Sequence, residues 1–362
     1  MPDSRPRIVF NDDGICNACI NAENKKNIDW SKRKSEFKDI IESIKEQRKN
    51  NETGYDCIVP WSGGKDSTSI ALKLKFEYNL NPLLVTFSPL IQNEIGRKNR
   101  EELIRMGFDN YFFMPNQKIA KYLSKRFFIE RGNPKVAWDA GINSVPVRLA
   151  SKFKIGTIFY AEHGESEYGG LILNEESTKI RDEREVIEHQ IGDFPENWID
   201  QTVSLNDIFP YTYPKSEELT DIKSYYFSYF FKWSMFDNYK YVKEKMPSFQ
   251  EDPSGRTEGT FTNFDSLDDK IDTLYYYMQH IKFGFGRATR DSCRMIQNDQ
   301  MTRDLAKEHA RNFDGEIPKK DFKEIINYLN ISENTFEEIV NKHRNKEIWK
   351  QDNNYWKLIN SI

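Results

Sequence analysis

Cys57-Ile58-Val59-Pro60-Trp61-Ser62-Gly63-Gly64-Lys65-Asp66-Ser67-Thr68-Ser69-Ile70-Ala71-Leu72-Lys73-Leu74 runs from an apolar strand, through a loop of small residues, into a helical pattern. That order predicts an anion site. The N–H groups of a first helical turn lack partners within the helix, and the helix dipole adds partial positive charge at the same end. Gly63 and Gly64 let the backbone close around an anion with no Cβ in the way. Ser62 and Ser67 add hydroxyl donors, and Lys65 adds a full charge. The spacing differs from G-x-x-x-x-G-K-[ST], whose first glycine is missing here.

Outward from this loop, apolar runs at 57–61, 83–87, 111–114 and 157–161 alternate with amphipathic stretches at 67–77, 96–106, 119–131 and 145–153. This alternation predicts an α/β fold, a parallel sheet joined by helical crossovers, spanning residues 51–205. Residues 1–50 form an appendage: a short strand at 8–10, a turn, the knuckle Cys16-Asn17-Ala18-Cys19, and a helix capped by Ser31 with Phe37, Ile40, Ile41 and Ile44 on one face. Residues 50–54 read as a linker. Residues 206–362 make a third, mostly helical region. It is aromatic and broken by Pro210, Pro214, Pro247 and Pro253 before helices at 268–280, 319–330 and 332–344.

The 362 residues carry 53 Lys plus Arg against 57 Asp plus Glu, a net charge of −4, which weighs against a general electrostatic grip on nucleic acid. The 25 Phe, 18 Tyr and 7 Trp must supply much of the core, since only 38% of residues are hydrophobic. No window approaches the ~18 apolar residues of a membrane span. The aromatic stretch 225–236, interrupted by Lys232, reads as a core or pocket element. The N-terminus has no apolar leader, so a cytoplasmic protein is expected. In a reducing compartment the Cys16/Cys19 pair points to metal or redox chemistry before a structural disulfide.

Ser62-Gly63-Gly64-Lys65-Asp66-Ser67 resembles the PP-loop of ATP pyrophosphatases, which cut ATP between the α and β phosphates and transfer AMP to a substrate oxygen. The resemblance implies an ATP site of Ser62, Gly63, Gly64, Lys65, Asp66 and Ser67 around the departing pyrophosphate, with adenine against Thr86 and Phe87. Asp66 is expected to help hold Mg²⁺; its other reading is a dipole-complementing acid in the first helical turn.

Three further segments stand in order along the chain. They are Met1-Pro2-Asp3-Ser4-Arg5-Pro6 with Asn11-Asp12-Asp13-Gly14-Ile15-Cys16-Asn17-Ala18-Cys19, then Ala161-Glu162-His163-Gly164-Glu165-Ser166-Glu167-Tyr168-Gly169-Gly170, then Phe283-Gly284-Phe285-Gly286-Arg287-Ala288-Thr289-Arg290-Asp291. With the loop, they resemble the N-acetyl sugar amidotransferase family, whose members act on bacterial surface sugars of the pseudaminic, legionaminic and O-antigen hexuronate types. The resemblance covers nearly the whole chain. It implies ATP-dependent conversion of an acetamido group to acetamidino on a nucleotide-activated sugar, through an O-adenylyl imidate. Ammonia is expected from a separate glutaminase subunit, because no Cys–His pairing with a nucleophile-type context is present.

Glu162, His163 and Glu165 follow the fourth strand and should share the rim of the sheet with the loop, with Glu165 expected to contact the substrate. His163 has the intrinsic pKa of a general base, and Glu162 is the second candidate; hydrogen bonding within the turn is the other reading of His163. Arg287, Arg290 and Arg294 suit the phosphate or carboxylate of a sugar nucleotide. Their alternative is ion pairing with Asp291, Glu316 or the closing helices. The aromatic residues between 227 and 233 either stack on a ligand or fill the core.

The family resemblance also implies a four-cysteine zinc site, of which Cys16 and Cys19 supply one pair; the other pair is expected before Met1, so Zn²⁺ has half its ligands here. The rival class is a tRNA-modifying PP-loop enzyme of the thiolation or lysidine type. Thiolation needs about three thiolates near the loop, and only Cys293 lies downstream of Cys57. A non-enzymatic ATP-binding scaffold is the third reading. The expected partners are therefore an acetamido sugar and a glutaminase, with neither nucleic acid nor membrane.

Overall fold

A computed structural model describes residues 2–48, 52–172, 174–181, 186–353 and 355–360 of the chain; part of the expected linker at 50–54 lies outside them. Five parallel strands, β1 (Cys57–Pro60), β2 (Pro82–Phe87), β3 (Asp109–Phe113), β4 (Thr157–Tyr160) and β5 (Lys223–Tyr226), form one sheet in the order β3-β2-β1-β4-β5. Chain order reverses at β1, which lies between β2 and β4. Open α/β sheets bind ligands at such a switch point, beyond the carboxyl ends of the strands.

Successive strand residues face opposite layers, and both layers are apolar. Cys57, Val59, Leu84, Phe159 and Tyr225 join one core with α2 (Trp30–Gln47) and α3 (Lys65–Phe76). Ile58, Leu83, Val85, Ile158, Tyr160 and Tyr226 join the other with α5 (Gln117–Arg131) and α6 (Val136–Phe153). Phe37 of α2 is fully buried and meets five aromatic rings, among them Phe227, Phe230 and Phe231. Those three rings therefore belong to the core. A third core, in the C-terminal region, packs helices Asp272–Phe283, Phe322–Leu329 and Glu333–His343 together.

Several local expectations are corrected. β5 makes a fifth strand where the sequence suggested four. α2 is capped by Asp29, whose carboxylate accepts from the N–H groups of Ser31 and Lys32. The strand expected at 8–10 reduces to a single bridge between Phe10 and Cys16, and α1 (Asn17–Lys25) starts inside the cysteine knuckle. No helix among the described residues is long and apolar enough to cross a membrane.

α6 approaches β2 so closely that a Cβ on Gly141 would stand 2.3 Å from the ring of Phe87. Gly141→Ala is therefore expected to cost about 1–3 kcal/mol by overpacking and to push Phe87 toward the mouth of the sheet. Urea unfolding of the variant would measure the first effect.

Candidate functional site

Residues 61–64 turn the chain between β1 and α3. The Trp61 indole N–H donates to Thr68 Oγ1 at 2.9 Å, tying the turn to the helix it feeds. Gly63 has φ +101°, and a Cβ there would lie 2.9 Å from Arg100 Cγ and 3.0 Å from Gly96 O. Only glycine meets both conditions. Arg100 braces the turn from outside by donating to Ser62 O at 3.2 Å. Gly64 is the N-cap, and no side chain caps the helix, so its first turn can bind an anion.

Beside the turn, a cleft of about 230 Å³ lies at the ends of β1, β2 and β4, with Ser62, Ser67, Phe87, Trp138, Tyr160 and Glu162 among its walls. Of the two residues expected against adenine, Phe87 lines this cleft. Thr86 is fully buried within the sheet, where its Oγ1 accepts from Asn110 Nδ2 at 2.9 Å, and it does not line the cleft.

Lys65 is 3% exposed, and its Nζ donates to Asp265 Oδ1 at 2.5 Å and Asp66 Oδ2 at 2.9 Å. Burial disfavours its charge, but Asp265 and then Asp66 outweigh that and hold its pKa above the ordinary value. Asp265, itself buried, is held well below the usual carboxylate range by Lys65 and Arg287, against the opposing effect of burial. Asp66 accepts from Asn238 Nδ2 at 2.9 Å through its other oxygen. The loop lysine is thus one member of an interlocked charge cluster.

Glu162 sits across from this cluster. Burial, then repulsion from Asp66, raises its pKa above the ordinary carboxylate value, against the opposing pull of Arg294 and a hydrogen bond from Tyr168. Tyr168 Oη donates to Glu162 Oε1 at 2.9 Å and accepts from Arg294 Nη1 at 3.0 Å. Its ring lies beneath two guanidinium groups, Arg290 at 4.3 Å and Arg294 at 4.5 Å. Arg294 is 4% exposed, and its Nη2, 4.0 Å from Glu162, is buried with no hydrogen-bond partner among the described residues. A buried orphan donor of this kind is costly to leave unpaired. Arg287 pairs with Asp291 at 2.8 Å and lies 3.5 Å from Asp265; Arg290 donates to Gln279 Oε1 at 3.3 Å. Glu316, one expected alternative partner, pairs with Arg256.

His163 and Glu165 stand apart from Glu162. His163 is buried as the N-cap of α7 (Gly164–Tyr168), its Nδ1 accepting from the Ser166 N–H at 3.2 Å, with its ring edge-on to Tyr226. Glu165 turns toward the N-terminal segment, where it pairs with Arg7 and accepts from the Leu171 N–H at 3.0 Å. α7 and the two glycines that follow it are gripped the same way: Arg5 donates to Gly169 O at 2.5 Å, Asn17 to Gly170 O at 3.0 Å and Asn21 to Ser166 O at 2.6 Å, while Lys25 pairs with Glu167 at 2.7 Å. The N-terminal knuckle is therefore a clamp on the turn that presents Tyr168 to Glu162.

Cys16 and Cys19 lie with their sulfur atoms 3.5 Å apart. Among the described residues, no three His, Cys, Asp or Glu side chains are placed to hold a metal ion. Two thiols alone do not make a closed zinc site. Cys57 is fully buried, and desolvation raises its thiol pKa.

Asp265, Asn238 and Tyr168 are the members that reading the sequence did not single out, whereas Asp291 was named there as an ion-pair partner of the arginines. Tyr168 stood inside a quoted motif. The others lay in stretches read as turns or irregular coil.

Residues 258–362 match the family model for the C-terminal domain of WbpG-like lipopolysaccharide (LPS) biosynthesis proteins. That match fits an enzyme of surface-sugar biosynthesis. The segment contributes Asp265, Arg287, Arg290, Asp291 and Arg294 to the cluster. No curated protein matches the chain.

Proposed function

We propose that this protein is an ATP-dependent amidotransferase that converts the acetamido group of a nucleotide-activated surface sugar to acetamidino, releasing AMP and pyrophosphate. The observation that carries the reading is the single constellation made by the glycine turn, the uncapped α3 N-terminus, the adjoining cleft and the orphaned Arg294 Nη2, all at the switch point of a parallel sheet. The match of residues 258–362 to an LPS biosynthesis family supports the sugar as substrate.

In this reading the cleft takes the adenosine and the turn takes the β and γ phosphates. The amide oxygen of the sugar attacks the α-phosphorus, the bond to the bridging oxygen breaks, and pyrophosphate leaves toward the α3 N-terminus. Preorganised N–H groups and Lys65 stabilise the charge that develops there. Asp66 and the phosphate oxygens are the donors that would hold Mg²⁺, which supplies further charge neutralisation. Ammonia then adds to the imidate carbon and AMP departs with the oxygen. Glu162 accepts the proton that the attacking nitrogen loses. Its raised pKa brings it closer to the neutral range that suits this role, and Tyr168 with Arg294 fixes its carboxylate. His163, already engaged as a helix cap, is left to shape the turn. Cys57 is fully buried and desolvation raises its thiol pKa, a poor state for a nucleophile; in this reading ammonia comes from a separate glutaminase subunit.

The test is incubation with ATP, Mg²⁺, ammonium and a panel of CMP- and UDP-activated acetamido sugars, followed by AMP assay and mass spectrometry. The expected result is AMP formation that depends on one sugar nucleotide, with oxygen replaced by NH in the product. AMP formation that required tRNA, or its absence with every acetamido sugar nucleotide, would sink the proposal.

A further inference from the structure

Helix Asp272–Phe283 begins beside the charge cluster and ends, about 18 Å further on at 1.5 Å per residue, at a second open space. This groove, of about 880 Å³, lies between that helix, helix Glu333–His343 and the hairpin of strands Trp349–Asp352 and Tyr355–Leu358. Its size suits a small ligand. Tyr277, Phe336, Trp349 and Trp356 give it aromatic walls, and Trp349 is fixed by an indole N–H donated to Ile281 O at 2.9 Å.

Two lining residues carry a buried nitrogen with no hydrogen-bond partner among the described residues: His280 through Nδ1 and Arg344 through Nε. The Arg344 guanidinium lies over the rings of Trp349 and Trp356, 4.8 and 5.1 Å from their centroids, and Tyr277 engages it from a third side. Burial lowers the His280 pKa to about 4, so its imidazole is neutral at pH 7. The remaining charges on the walls cancel, Lys319 and Arg344 against Glu333 and Glu337.

Flat aromatic faces, unpaired nitrogens and no net charge describe a receptor for a neutral ligand with an apolar face and a polar edge. A pyranose ring is such a ligand: its axial C–H groups stack on indole, and its hydroxyl and amide groups pair with carboxylates, Arg and His. Every residue lining the groove lies within the segment that matches the LPS biosynthesis family. We propose that this groove is a second, non-catalytic site that binds a neutral acetamido sugar ring away from the reacting centre. The sugar class rests on the function proposed above.

Saturation-transfer NMR on the full chain with methyl N-acetyl-β-glucosaminide, without ATP, tests this. Transfer to the acetamido methyl and ring protons is expected. It should fall about fivefold to tenfold, the worth of one aromatic contact, in Trp356→Ala and in Tyr355→Ala, and persist in Glu162→Gln. Tyr355 is 75% exposed, so its loss tests the groove without threatening the fold. Absence of transfer in the wild type, or transfer unchanged by both groove substitutions, overturns the proposal. So does a change in sedimentation with no change in transfer, which would make the groove a contact between copies of this chain. If AMP formation is never found but groove-dependent transfer is, the amidotransferase reading fails and the sugar site stands.

Discussion

Glu162→Gln is expected to lower AMP-forming turnover by about 10²–10⁴-fold, the usual worth of a positioned general base, while leaving ATP binding within a small factor of wild type. The amide keeps the shape of the carboxylate and its contact with Tyr168, so the fold should hold. Tyr168→Phe makes a sharper companion. Tyr168 donates a hydrogen bond to the ionised carboxylate, which lowers the Glu162 pKa against burial. Removing that bond raises the pKa further, so the acid limb of the pH–rate profile should move to higher pH. Measured at saturating ammonia, an unchanged or lower apparent pKa in the variant would count against Glu162 as the titrating base.

Lys65→Met is expected to do two separable kinds of damage. Turnover should fall by about 10²–10³-fold, because a full positive charge is lost from the place where the proposed reaction would develop pyrophosphate charge. Stability should fall by roughly 3 kcal/mol, because Asp265 stays buried without its closest partner. The double variant Lys65→Met/Asp265→Asn separates them. It removes the stranded charge, so urea unfolding should return most of the way to wild type, whereas AMP formation should not recover. Recovery of both would make Lys65 a purely structural residue.

The legible parts of this molecule were those carried by local pattern. Cys57-Ile58-Val59 followed by Ser-Gly-Gly-Lys-Asp-Ser fixes a strand, a turn and a helix within a dozen residues, and the later apolar runs repeat the period. β5 escaped because Lys223-Ser224-Tyr225-Tyr226 is short, carries two polar residues and leads straight into the aromatic helix Phe227–Phe230. Its strand character comes from pairing with β4, and no single segment encodes that. The same limit governs the site. Lys65 and Asp265 are 200 positions apart, and Tyr168 and Arg294 are 126 apart. Such pairs exist only once packing has chosen neighbours. Glu165 shows the reverse case. Its place in a charged turn beside Glu162 suggested substrate, yet the helical turn of α7 aims it at Arg7.

The clamp on α7 also bears on how the protein is made. Residues 5–25 are made well before what they grip, residues 165–170, and the arginine that completes Tyr168 is later still. A chain that ends before residue 265 carries the glycine turn without Asp265 to neutralise Lys65 or Arg294 to complete Tyr168. The complete charge cluster therefore forms only after the C-terminal region has been made, and a truncation before residue 265 should lose it whole.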